Sequence, residues 1–301
     1  MPLHAWTSAR YVVPLPPGHR FPIEKYERLR QRVLAESLVL PSHLHEPRRV
    51  PLAMLRLVHT PDYIDRLTSG TLTDAEVRRL GFPWSPDLVE RSFRAVGGTC
   101  EAVAHALDAG GVAINLAGGT HHAFPSHGEG FCVFNDVAVA LRHALSTRRI
   151  ARAAIIDLDV HQGNGTHAIF ADDPRVYTFS MHGRRNYPFH RVAGSLDIEL
   201  DDHTSDDEYL GILATALPDV LARSSPDLVV YLAGADPHEG DRLGRLALTL
   251  DGLARRDHMV VHAAREVGIP VAITIAGGYG RDVEQTVEAH CRTVRVAARF
   301  A

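Results

Sequence analysis

Asp157-Leu158-Asp159-Val160-His161-Gln162-Gly163-Asn164-Gly165 decides how this 301-residue chain is read. It follows directly on the apolar run Ala153 to Ile156. Side chains of an extended chain alternate between two faces. Asp157, Asp159 and His161 are therefore expected on one face, with Leu158 and Val160 pointing into a core. Two hard oxygens and an imidazole on one face at a strand end make a nest for a divalent metal. On its own, the same pattern fits a strand running into a solvated polar turn.

Four similar runs lie around it. Val112 to Leu116 leads into Gly118-Gly119, and Val176 to Ser180 into Met181-His182-Gly183. Leu228 to Leu232 leads into Gly234-Ala235-Asp236, and Val271 to Ile275 into Gly277-Gly278-Tyr279. Continuous apolar runs, unlike alternating ones, suit strands covered on both faces by helices. Helical spacing links Val89, Phe93, Val96, Cys100, Val103 and Leu107, and Gly110-Gly111 stops the run. Ser205 and Glu208 are spaced as a capping box at the start of another helix. Thr249 to Glu266 is a third, closed by Gly268 with Pro270 beyond. This alternation predicts an α/β fold: a three-layer α/β/α sandwich around a central, mostly parallel sheet. No linker or repeat divides the chain, so residues 1–301 are read as one domain, with Pro14 to Pro22 as a surface entry segment. Ligand sites of such sheets lie beyond the carboxyl ends of the strands, where every polar cluster of this sequence falls.

Composition excludes some classes. With 45% hydrophobic and 23% charged residues and a net charge of -4, the chain is an ordinary globular one, without the basic stripe of a nucleic-acid binder. Cys100, Cys132 and Cys291 are far apart and odd in number, which argues against a disulfide framework or a cysteine zinc site. No signal-peptide pattern or membrane-span-length apolar run occurs. These features lead to the expectation of a reduced, cytoplasmic compartment. The 19 histidines exceed an average share. His4, His19, His43, His45 and His258 sit in no pattern and read as compositional habit.

Three further clusters carry chemistry. Asp236, between Ala235 and Pro237, supplies a third metal ligand beside Asp159 and His161, leaving positions open for water and substrate. Alone, Asp-Pro is a common turn starter. His121-His122 follows a glycine turn, and neutral histidine is the natural general base near pH 7. Without the turn's help, two adjacent side chains point apart, and surface histidines would look the same. Gly277-Gly278 presents the Tyr279 hydroxyl as a donor to a developing oxyanion; an exposed loop tyrosine is the plainer alternative.

Together with Gly130-Phe131-Cys132-Val133-Phe134-Asn135-Asp136, these segments resemble in order and spacing the histone deacetylase family, within the arginase/deacetylase fold. The resemblance covers roughly Val58 to Val283. It implies a zinc-dependent hydrolase of linear amides that removes acetyl or longer acyl groups from lysine side chains of proteins or peptides. Asp159, His161 and Asp236 would hold Zn²⁺, or Fe²⁺ in the same ligand set. His122 would be the general base and acid, and His121 its electrostatic partner, bonded to Asp157. Tyr279 would polarise the scissile carbonyl. Gly130 and Phe131 would form the narrow acyl-lysine channel, and Leu243 its rim. A K⁺ site is implied at Asp157, Asp159, His161, Ser180 and Met181, in part through backbone carbonyls. The implied partner is an acyl-lysine peptide or protein, or a small acylated amine, with no nucleic acid and no membrane span.

One position departs from many family members. Asn164 stands where a second Asp pairs with the catalytic histidine. With the segment His182 to Pro188, it is similar to class IV deacetylases and their bacterial relatives. A neutral partner is expected to leave His122 with a lower pKa than Asp would. Rival readings are an acetylpolyamine amidohydrolase, which usually has longer loops, and a two-manganese ureohydrolase, which needs Asp-x-Asp where this chain has Gly234-Ala235-Asp236. A non-catalytic acyl-lysine binding module would have lost a ligand, a histidine or the tyrosine, and none is missing. Class IV likeness adds long-chain acyl-lysine as a substrate.

Overall fold

The computed structural model describes residues 2–301. Eight strands form one sheet: β1 His4–Trp6, β2 Leu44–His45, β3 Val112–Asn115, β4 Ala153–Asp157, β5 Val176–Gly183, β6 Leu196–Leu200, β7 Leu228–Ala233 and β8 Val271–Ile275. Their order is β2-β1-β3-β8-β7-β4-β5-β6. Every pairing is parallel, so all eight carboxyl ends lie on one side. The five expected strands are present with bounds shifted by at most a few residues, the largest change being the extension of β5 through Gly183. The short outer strands β1 and β2 and the half-exposed β6 were not legible, because none contains a long apolar run.

Among the described residues, ten α-helices accompany the sheet: α1 Lys25–Ala35, α2 Leu52–Leu55, α3 Pro61–Ser69, α4 Asp74–Leu80, α5 Pro86–Ala109, α6 Asp136–Ser146, α7 Asn164–Phe170, α8 Asp206–Ser224, α9 Leu250–Glu266 and α10 Val283–Phe300. Alternate strand residues divide cleanly between two layers. Ile156, Tyr231 and Ile273 pack with α1, α8, α9 and α10. Ile155, Val230 and Ala272 pack with α5 and α6. Period-two alternation with both faces apolar is what a strand between two helical layers requires.

Two local expectations change. Ser205 does cap α8, but its side chain accepts no hydrogen bond there. Instead the adjacent Asp206 reaches across to the Thr249 amide and hydroxyl at 2.9 and 2.6 Å, tying α8 to the start of α9. The full capping box is Thr73 with Glu76, at α4. The scattered histidines also regroup. His4 stacks on His43, His45 and His105 with ring centroids 4.4, 5.1 and 4.1 Å away. Burial and the neighbouring rings push His4 down to about 4, so it is neutral at pH 7 and stacks as an aromatic.

Arg256 of α9 locks the sheet's working end. It is 1% exposed and donates to the carbonyls of Leu158 at 3.1 Å and Gly234 at 2.8 Å. Those carbonyls belong to the loops after β4 and β7. Its other nitrogens hold Asp257 Oδ1 at 2.9 and 2.7 Å. Asp257 also accepts from Tyr231 and from Thr293 of α10. Removing one member of a buried pair strands the other charge. Arg256→Met is therefore expected to cost about 3–5 kcal/mol of stability by equilibrium urea unfolding. A loss below about 1 kcal/mol would show that the pair does not bear on the fold.

Candidate active site

The loop after β3 turns at Gly118 and Gly119, with φ of 84° and 65°. A side chain at Gly118 would meet Asp136 Oδ2 at 2.3 Å. That close approach lets the buried Asp136 collect the Gly119 and Thr120 amides at 3.1 and 2.8 Å, and the Thr120 hydroxyl. The turn thereby carries His121 and His122 inward together, their ring centroids 4.1 Å apart.

Each histidine is oriented differently. His121 Nδ1 lies 2.6 Å from Asp157 Oδ2. Burial alone would lower its pKa, but the charges of Asp157 and Asp159 outweigh it and push it up to about 9. His122 Nδ1 lies 2.8 Å from Asn164 Oδ1. The Asn164 amide nitrogen donates to Glu129 Oε1 at 3.2 Å, so its oxygen faces the ring. An acceptor at that point assigns the proton to Nδ1 and leaves Nε2 as the basic nitrogen. Burial, then the rings of His121 and His161, hold His122 well below the ordinary histidine range. The hydrogen bond to Asn164 acts the other way, and burial outweighs it.

After Asp157 the chain leaves the sheet, and side-chain contacts with backbone amides take over from strand alternation. Asp157 Oδ1 accepts the Asp159 amide at 3.2 Å, and Asp159 Oδ1 accepts the His161 amide at 2.9 Å. Asp159 Oδ2 accepts from Gly277 at 2.7 Å, and Asp236 Oδ1 from Val160 at 2.9 Å. Gly277 permits this, since a Cβ there would lie 1.8 Å from Asp236 Oδ2. His161 Nδ1 sits 2.9 Å from Asp159 Oδ1 and 3.1 Å from Asp236 Oδ2.

Asp159, His161 and Asp236 thus offer ligand atoms within 4.8 Å of one another, all buried. They are the only such group among the described residues. Asp236 Oδ2 is a buried oxygen that accepts no aligned hydrogen bond, its close neighbour being the His161 nitrogen. Burial and the Asp159 charge push Asp236 up to about 7. His161 is carried up to about 10, because the two carboxylates outweigh its burial. Two carboxylate oxygens and an imidazole nitrogen in so small a space fit a divalent cation of the zinc type, with room for further ligands.

Tyr279 is buried, its ring centroid 6.3 Å from that of His161. Its amide donates to Asp241 Oδ2 at 2.6 Å, and Arg242 Nε donates to its carbonyl at 2.9 Å. Burial and the charges of Asp159 and Asp236 keep its hydroxyl protonated far beyond neutral pH. Gly130, Phe131 and Leu243 line one cavity with His122, His161 and Tyr279. Ser180 is in register with Asp157 across β4 and β5, and Met181 is fully buried.

Several site residues escaped the sequence reading. Tyr187 stands edge-on to His122 at 4.9 Å and donates to Glu129 at 2.5 Å. Glu129 thereby links the channel wall to Asn164, and nothing in its sequence context marks it. Lys25 donates to the carbonyls of Ala276 and Gly278 at 3.3 Å each, bracing the loop that presents Tyr279. It had a signal: it is the one lysine among 32 basic residues. Phe21, from the segment expected merely to enter the surface, packs 6.1 Å from the Tyr279 ring.

Asn164→Asp tests the histidine's environment. A carboxylate at that position stabilises the imidazolium, so His122 titrates higher and the acidic limb of kcat/KM moves up by about one to three pH units. A limb that stays in place would mean that another group sets it.

The chain matches the histone deacetylase domain over residues 19–294. It is 46% identical over 287 residues to an uncharacterised protein of Picosynechococcus, covering 95% of both chains. It is 35% identical over 270 residues to histone deacetylase 2 of Arabidopsis thaliana, covering 87% of this chain and 70% of that one. The crystal structure of a histone deacetylase homologue from Aquifex aeolicus superimposes with a TM-score of 0.85 at 25% identity, covering 98% of this chain and 83% of the other. With the parallel sheet and the clustered aspartates and histidines already in place, these likenesses establish that the chain belongs to the histone deacetylase family, hydrolases of amide bonds.

Proposed function

We propose that the protein is a zinc-dependent lysine deacylase, with Asp159, His161 and Asp236 as the metal ligands. The observation that carries this reading is Asp236 Oδ2, which accepts no aligned hydrogen bond and is buried against His161 and Asp159 between a histidine pair and a protonated tyrosine. A bound Zn²⁺ would supply Lewis acidity toward the amide carbonyl and a lower pKa for the attacking water; Fe²⁺ would suit the same ligands. His122 Nε2 accepts the proton of the attacking water and returns it to the leaving amine. Asn164 and Glu129 keep that tautomer. His121, tied to Asp157, places a positive charge beside the forming oxyanion, and the Tyr279 hydroxyl donates to it.

Phe131 and Tyr187 fit the walls of a channel for the lysine stem, since rings can cover methylenes without demanding hydrogen bonds. Beside the metal residues, the cavity bounded by Phe21 and Phe131 shares those two walls with a second cavity, lined by Val96, Leu88 and Val133. An apolar cavity so placed supports acyl groups longer than acetyl. Asn164 as the His122 partner supports a place in the class IV branch. For K⁺, the carbonyls of Asp159 and His161 accept no hydrogen bond among the described residues, whereas those of Leu158 and Val160 are taken by Arg256 and Gly183. Free carbonyls beside Asp157 and the neighbouring strand segment Ser180-Met181 suit a monovalent cation. All three cysteines are free, which supports a reducing, cytoplasmic compartment. No helix among the described residues is long and apolar enough to cross a membrane.

Turnover of acetyl-, trifluoroacetyl- and myristoyl-lysine peptides, beside an acetylpolyamine control, tests the activity. Tyr279→Phe is expected to lower kcat about a hundredfold or more, the scale of one lost oxyanion donor; turnover near the parent rate would remove Tyr279 from the chemistry. Asp236→Ala is expected to abolish both activity and stoichiometric zinc after dialysis, measured by atomic emission. Zinc retained at one equivalent would place the metal elsewhere.

A further inference from the structure

The mouth of the channel is cationic. Arg20, from the segment before α1, and Arg78 and Arg79, at the end of α4, line the same cavity as His122, His161 and Tyr279. No aspartate or glutamate lines it. All three arginines are exposed, and none of their guanidinium groups forms an ion pair among the described residues. Elsewhere most arginines are paired with carboxylates, so the pattern is local. Three carboxylates of the flanking segments are already engaged. Glu76 is held by Arg66 and Thr73, and Glu129 by Tyr187 and Asn164. Asp241 accepts the amides of Leu243, Gly244 and Tyr279.

The end of a helix favours cations through its dipole, which accounts for Arg78 and Arg79 as residue types. It does not account for Arg20, which arrives from another segment. Its carbonyl accepts from Arg242 Nη2 at 3.2 Å, while Arg242 Nε holds the Tyr279 carbonyl at 2.9 Å. A fourth guanidinium therefore braces Arg20 against the catalytic loop. This collection of positive charge belongs to a chain whose net charge is -4.

On the deacylase reading of this site, the acyl group enters toward Asp159 and His161, and whatever bears the amine stays at the mouth. We infer that the substrate is an acyl-lysine set among carboxylates, an acidic segment of a protein, and not a lysine within a basic tail. The guanidinium fork pairs with carboxylates in two-point geometry and is only weakly hydrated, so it suits such recognition better than lysine would. Approaching polycations, including acetylpolyamines and arginine-rich peptides, meet like charge. Rim charges act chiefly on encounter and weaken with salt.

The experiment compares three peptides of equal length on the zinc-loaded protein. Each has one central acyl-lysine, flanked by alanines, by glutamates and aspartates, or by arginines. At low ionic strength the acidic peptide is expected to exceed the basic one about tenfold or more in kcat/KM, mostly through KM, within the range of charge steering. The ratio should shrink toward one at about 0.5 M salt, where the Debye length falls to a few ångströms. It should shrink likewise in the triple variant Arg20→Gln, Arg78→Gln, Arg79→Gln, whose circular dichroism and melting are checked first. Arg20→Gln alone, outside any helix, serves if the triple variant does not fold, and should show a smaller fall in the same ratio. Equal turnover of acidic and basic peptides, a preference for the basic one, or a ratio untouched by the substitutions overturns this inference while leaving the deacylase reading intact. No turnover of even the alanine-flanked peptide overturns the deacylase reading, and this inference with it.

Discussion

Two buried carboxylates that converge on one imidazole nitrogen govern the rest of this structure. Asp159 and Asp236 are essentially inaccessible to water, and neither has a basic side chain other than histidine in contact. Burying such charges is costly unless donors and a counter-charge are supplied. The protein supplies amides from Gly277, His161 and Val160. Those amides come from the segments after β8 and β4, while Asp236 itself follows β7. The site therefore exists only because parallel pairing brings three carboxyl ends side by side. Arg256, bonded to Leu158 and Gly234, fixes the two aspartate loops against one another. A divalent cation held by Asp159, His161 and Asp236 would complete the compensation that the backbone begins.

This dependence explains what the sequence disclosed. β3, β4, β7 and β8 are buried on both faces, so they had to be largely apolar, and the polar residues beyond them had to stand out. Asp159, His161, Asp236, His122 and Tyr279 were legible for that reason, with the order of their motifs supplying the family. Edge strands were hidden because His4–Trp6 and Leu44–His45 are too short for a period to show. The supporting residues were hidden for a different reason. Arg256, Glu129 and Lys25 act through contacts 98, 35 and 251 positions away in the chain, which no local pattern records. The stacked histidines His4, His43, His45 and His105 were likewise dispersed along the chain and gathered only by the fold.

Asn164 illustrates how a substituted group reorganises its surroundings. Among the described residues no carboxylate touches His122 Nδ1 directly; the nearest one along this chain of contacts is one step removed, on Glu129, with the Asn164 amide between. The amide is polarised without forming an ion pair with His122, so the ring is held in one tautomer and stays neutral. The same Glu129 oxygen holds the Tyr187 hydroxyl. The orientation of His122 and the placement of Tyr187 therefore share an acceptor, and a change at one is expected to be felt at the other.

Lys25 carries a further consequence. It is the chain's one lysine and is 1% exposed, its ammonium turned toward two carbonyls and three aromatic rings. Arginine supplies all the other strong cations, including those at the channel mouth, and a guanidinium is not an acceptor for the acyl donors that modify amines. No lysine ammonium is therefore offered to solvent anywhere on this surface. If its substrates are acyl-lysines, as proposed, the protein presents no lysine of its own to be marked, and is insulated at its lysine side chains from the chemistry that it would reverse in others.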